Sequence, residues 1–135
     1  MTHKIKSLQM IHLAICIGML VAYIFVGEIT MDTFKVPTID SSALIYLLIP
    51  VLAVFLSNFL FNSQLKQIDK KANVEDILPI YQTASIIRWA VLEGGAFIIL
   101  FAQPNLIVFG ILLIVYLIIL RPTQEKMERD LDVKF

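Results

Sequence analysis

The chain has 135 residues, enough for one small domain, of which 59% are hydrophobic and 16% charged, and its mean hydropathy is +0.83. Soluble domains carry about a quarter charged residues, and so small a volume cannot hide this much apolar surface. The formal net charge of zero gives no basic excess for nucleic acid, and the single cysteine, Cys16, excludes an internal disulfide. Lipid is the solvent these numbers imply.

A bilayer core about 30 Å thick needs about 20 apolar residues of helix. Four runs meet that need, and they predict an all-α membrane protein with spans at about 8–27, 42–62, 78–102 and 105–121. The first run lacks a small-x-small cleavage site and reads as a retained helix rather than a signal peptide. The loop from Gly27 to Ser42 holds Pro37 and several polar residues, which predicts irregular structure. Pro50 falls near the centre of helix 2 and predicts a kink there. Helix 2 is expected to run past the lipid as an amphipathic turn carrying Leu65 and Ile68. Asn73 or Asp76 is the expected N-cap of helix 3, with acidic residues suited to the positive end of its dipole. Pro104 stops helix 3, so helices 3 and 4 form a tight hairpin. In the tail, 122–135, Met127, Leu131 and Phe135 recur at helical spacing. That pattern suits the membrane surface, a partner, or a frayed charged end.

Lys and Arg placement sets orientation. With four crossings, Lys4, Lys6, Lys66, Lys70, Lys71, Arg121, Lys126, Arg129 and Lys134 fall on one side; these are nine of the eleven basic residues. Lys35 alone lies opposite, and Arg88 lies within a span. Both termini and the middle loop are therefore expected in the cytoplasm, with the chain in a plasma (inner) membrane.

A short repeat supports two tandem hairpins. His12-Leu-Ala14-Ile-Cys-Ile-Gly18 resembles Arg88-Trp-Ala90-Val-Leu-Glu-Gly94, and Asn62-Ser-Gln64-Leu-Lys66 resembles Pro122-Thr-Gln124-Glu-Lys126. The order is the same in both halves, as in parallel repeats.

Helix 3 carries the unusual chemistry. Counted from Ile80, Arg88 lies about 12 Å and Glu93 about 20 Å along the helix. That places both in the middle third of the bilayer, where a charge costs about 2.5–3.5 kcal/mol or more. Tyr81, Gln82, Ser85, Arg88, Trp89, Leu92, Glu93 and Ala96 fall on one broad face. Arg88 and Glu93 are five residues apart, about 140° around the helix, which is poor spacing for an intrahelical ion pair. Each then needs a partner elsewhere, and His12 and Tyr46 are candidates for a shared polar core. Gly94, Gly95 and Gly18 are candidate sites of close helix contact.

Three readings stay open. Arg88 and Glu93 pin the bundle in register; or Glu93 is a protonatable or cation-binding carboxylate tuned by Arg88; or the charged face docks on another membrane subunit or a second copy. His12 reads as a satisfied core histidine before a proton relay. Cys16 reads as a small apolar residue, and Trp89 as packing. His3 implies no metal site, and no cofactor is implied. No phosphate loop, zinc spacing or nucleophile–base–acid arrangement is present, so an enzyme is not expected.

The Arg88-x-Ala90-x-x-Glu93-Gly94 segment, in a four-helix chain of this size, resembles small uncharacterised bacterial inner-membrane proteins. That resemblance implies the layout and no activity. A more distant likeness is to the proteolipid hairpins of rotary ATPases, which also carry one carboxylate within the membrane. Three features depart from it. The hairpin turns lie outside, Glu93 is on the first helix of its hairpin, and the glycine-rich packing helix is missing, the chain having five glycines. The ion-binding role is therefore not carried over to Glu93. The expectation is a structural or accessory membrane subunit, or a self-associating protein, with ion or proton handling through Glu93 as the alternative.

Overall fold

The computed structural model describes residues 2–27, 41, 44–69, 71–102 and 104–131. The loop bearing Lys35 and Pro37, together with Lys70, Lys134 and Phe135, lies outside the described residues. The described chain is all-helical: α1 (Thr2–Val26), α2 (Leu44–Leu65), α3 (Val74–Ala102), a 3₁₀ turn (Pro104–Leu106), α4 (Ile107–Ile119) and α5 (Gln124–Leu131).

Three helices are long and apolar enough to cross a membrane: Ile5–Val26, Leu44–Leu65 and Glu75–Ala102. A fourth reaches that length only if Pro104–Ile119 is joined to Gln124–Leu131, and those two meet at 91°. The single span expected over 105–121 is therefore shorter than its sequence suggested. Pro104 spends the first turn in 3₁₀ geometry, and Pro122 bars helical geometry at Arg121.

Helix 3 begins earlier than its apolar run. Asn73 takes the cap position, its carbonyl accepting from the amides of Asp76 (2.9 Å) and Ile77 (3.1 Å). Glu75 and Asp76 follow in the first turn, where the dipole favours them. Pro79 is tolerated inside the helix, and the Thr83 hydroxyl donates to its carbonyl at 3.0 Å.

α3 is the hub and packs on α1, α2 and α4. α1 contributes a narrow stripe, Ile5, Leu8, His12, Cys16, Met19 and Tyr23, at three- and four-residue spacing. α2 contributes Ala53, Ser57 and Phe61, one turn apart. α3 and α4 pack as a hairpin, whereas α1 and α2 each pack on α3 and α4 and make little contact with each other among the described residues. Two equivalent packed hairpins, suggested by the repeat, are not what forms. α1 seats His12 and Tyr23 on α4 and α3, whereas α2 sets Ala53 against Gly95 of α3 and joins α4 through Asn58 and Tyr116.

Among the described residues, 24 large hydrophobic side chains are exposed, spread along α1 to α4. Water does not tolerate such a coat on a monomer. The same surface is ordinary against lipid, where only the backbone must be satisfied internally.

The starts of α1 and α3 and the ends of α2 and α4 share one end of the bundle. Gln9 Nε2 donates to the Pro122 carbonyl at 2.8 Å, and the Phe61 and Tyr81 rings meet edge to face at 5.8 Å. α5 closes this end. Its buried Met127 and Leu131 show that the tail's apolar stripe docks on the bundle itself. The corner before it is built by three short-range bonds. The Thr123 hydroxyl caps α5 by accepting from the Lys126 amide (3.1 Å), and Lys126 Nζ donates to the carbonyls of Ile119 (2.6 Å) and Arg121 (2.9 Å) at the end of α4.

Candidate functional site

α3 divides cleanly around its axis. Tyr81, Ala84, Ser85, Trp89, Leu92, Gly95, Ala96 and Ile99 are buried, while Pro79, Thr83, Ile86, Ala90, Ile98 and Phe101 are exposed. At 100° per residue, Arg88 points into the middle of the buried face and Glu93 falls on the flank of the exposed one.

Arg88 is half-buried. Its guanidinium lies over the Phe61 ring of α2, 3.7 Å from the centroid. A desolvated contact of this kind is worth about 2 kcal/mol. Its other electrostatic neighbours are Tyr81, Asp130 and Tyr116. Asp130 is held in turn by the Tyr81 hydroxyl, which donates to its Oδ2 at 3.0 Å. Tyr116 exchanges hydrogen bonds with the side-chain amide of Asn58 on α2, at 3.0 and 3.3 Å. Arg88 is thus level with the α4–α5 corner, nearer the end of the bundle than its apolar surroundings in the sequence suggested. Beside it lies a cavity of about 250 Å³ lined by Tyr81, Ser85, Trp89, Lys126, Arg129 and Asp130, among others.

His12 is buried on the neighbouring face of Trp89, their rings meeting edge to face at 4.9 Å. Its Nε2 is 2.7 Å from the Leu117 carbonyl on α4. A carbonyl only accepts, so Nε2 carries the hydrogen and α1 is tied to α4 by a donated bond. The Cys16 sulfur sits 3.6 and 3.9 Å from the two ring nitrogens. This is the environment of a core histidine bound at a helix end.

Glu93 is half-buried and makes no hydrogen bond or ion pair with any described residue. Tyr46 is packed against the core near the start of α2. It stands fifteen residues from Phe61 on the same helix, about 22 Å away, and is out of reach of Arg88. Ser85 is buried in the Arg88 cavity, while Gln82 lies half-buried on the Glu93 flank, eleven residues before it. The four residues expected in one core therefore separate: Arg88 at the α5 end, His12 on α4, Tyr46 at the opposite end, and Glu93 facing outward.

The glycines separate likewise. A Cβ at Gly95 would come within 2.8 Å of the Ala53 Cβ, so α2 and α3 touch there. A Cβ at Gly18 or Gly94 would meet nothing within 4 Å among the described residues, so neither is a site of close helix contact there. The tightest notch is at Gly110, a position the sequence did not single out. A Cβ there would collide with the Tyr23 hydroxyl, which donates to the Ala96 carbonyl.

Among the described residues no group of three His, Cys, Asp or Glu side chains is placed to hold a metal ion. The groups around Arg88 that sequence reasoning missed are Phe61, Lys126 and Asp130. Asp130 had one readable signal: it flanks the Met127–Leu131 stripe of an amphipathic helix. No family model matches the chain, and no curated protein or solved structure matches it.

Proposed function

We propose that this chain is a four-span protein of a bacterial inner membrane, with both termini cytoplasmic, that serves as a structural or accessory subunit. It assembles through the outward flank of α3, with a second copy or another membrane protein. The observation that carries this reading is Glu93, a carboxylate within the apolar length of α3 that has no hydrogen-bond or ion-pair partner among the described residues. A charge so placed needs company or a proton, and a neighbouring helix supplies hydrogen bonds at little cost to either surface. The broad apolar coat of α1 and α2 leaves ample surface for the same assembly. The crowd of basic residues at the end that holds the start of α1 and the α4–α5 corner supports the orientation.

The test is the size and composition of the complex purified from native membrane in mild detergent. Glu93→Gln, which keeps hydrogen-bonding capacity, retains the assembly, and Glu93→Leu dissociates it. An undiminished complex in Glu93→Leu would overturn the proposal. Loss of proton or cation flux from reconstituted vesicles in Glu93→Gln, with complex size unchanged, would favour ion handling at Glu93 instead.

A further inference from the structure

Two buried side-chain polar atoms have no hydrogen-bond partner among the described residues, Arg88 Nε and Trp89 Nε1. Both residues line the same cavity of about 250 Å³ under α5. Trp89 is fully buried. A buried indole N–H without an acceptor is uncommon, because the desolvation of the donor goes uncompensated. Here two such donors occur side by side at one cavity.

The charge at this cavity is unbalanced. Arg88, Lys126 and Arg129 line it, against the single carboxylate of Asp130. Asp130 already accepts from Tyr81 and lies 4.0 Å from Arg129 Nε. Lys126 uses two of its three donors on the end of α4, which leaves one. Burial, and then the neighbouring Arg129 and Arg88, push its ammonium below the ordinary lysine range, with Asp130 pulling the other way and Arg121 adding to the push. Cations crowded this closely call for an anion between them.

We propose that this cavity is a binding site for a phosphate-type oxyanion, held by Arg88, Trp89, Lys126 and Arg129. The indole N–H and the guanidinium donate from the floor, and Lys126 and Arg129 close over it from α5. Donor-lined walls and an excess of cations over carboxylates are what a phosphate monoanion or dianion selects. Ile119 lines the rim and is itself an exposed apolar residue of α4, so the opening continues onto the apolar surface of the bundle. The headgroup of an anionic lipid and a free phosphate group both carry this chemistry. The lipid source rests on the membrane placement of the bundle, and the free anion does not.

Trp89 is the only tryptophan in the chain, so its fluorescence reports on this cavity directly. The full-length protein in non-ionic detergent is titrated with inorganic phosphate, at an ionic strength held constant with sodium chloride. A parallel titration uses mixed micelles of rising phosphatidylglycerol content, with phosphatidylcholine as the control. A saturable change with inorganic phosphate assigns the site to a free oxyanion. A saturable change with phosphatidylglycerol alone assigns it to a lipid headgroup. Arg129→Gln weakens the response about threefold, as a partly screened charge should, and Arg129→Lys restores most of it. Lys126→Gln tests the second cation, and Arg129 keeps the test open if that variant loses the corner. The proposal is overturned if no titration saturates, if phosphatidylcholine acts as well as phosphatidylglycerol with no phosphate response, or if Arg129→Gln leaves the response unchanged.

Discussion

His12 Nε2 on α1 donates to the main-chain carbonyl of Leu117 in the last turn of α4, 2.7 Å away. The bond fixes both the tautomer of the ring and the height at which the two helices meet.

His12→Ala should destabilise the bundle by about 1–2 kcal/mol, the sum of one hydrogen bond within a membrane and the lost packing against Trp89. His12→Gln, which can still donate, should recover part of it. Thermal unfolding in detergent measures both. A His12→Ala variant as stable as wild type would show that the bond contributes nothing.

Arg88 and Glu93 should behave as strangers. They occupy different faces of α3 and share no partner. In a double-mutant cycle with Arg88→Gln and Glu93→Gln, the effects on stability should add to within about 0.5 kcal/mol. A larger coupling would mean that the two charges sense each other after all.

Gly110→Ala should destabilise, despite the higher helix propensity of alanine, because the added methyl meets the Tyr23 hydroxyl. A penalty of about 1–3 kcal/mol is expected. Tyr23→Phe removes the colliding oxygen, so combining the two should give a penalty smaller than the sum. Full additivity of their melting shifts would refute the collision.

The corner should loosen when its cap is removed. Thr123→Ala forfeits the bond from the Lys126 amide and about 1 kcal/mol of local helix stability. Tyr81→Phe releases Asp130 from α3. Either change should speed amide hydrogen exchange across 124–131 while leaving α2 protected. Equal exchange in wild type and both variants would show that α5 is held by Met127 and Leu131 alone.

The helices were legible because lipid asks for little beyond length and apolarity, and α1, α2 and α3 supply both. The buried face of α1 is also legible in outline, since His12, Cys16, Met19 and Tyr23 follow three- and four-residue helical spacing. The partnerships were not readable. A charge in an apolar run announces that a partner is needed without naming it. Arg88 found an aromatic face, Phe61, and a carboxylate from a tail whose fold depends on Pro122 and Thr123. The start of α3 was legible from Asn73, one of the two expected caps, although hydropathy marks only where lipid begins, several residues later. Gly110 was overlooked since nothing in an aliphatic run tells which glycine faces a tyrosine.

Most of the polar ties between helices end on main-chain oxygen: His12 on Leu117, Gln9 on Pro122 and Tyr23 on Ala96. A carbonyl is indifferent to the side chain beside it. The residues at 117 and 96, both buried, are held by packing and not by the identity of their partners at 12 and 23, so these bonds by themselves leave no covariation behind. A contact map inferred from correlated substitutions would see Asn58 with Tyr116 and Tyr81 with Asp130, and would be blind to the bonds that seat α1.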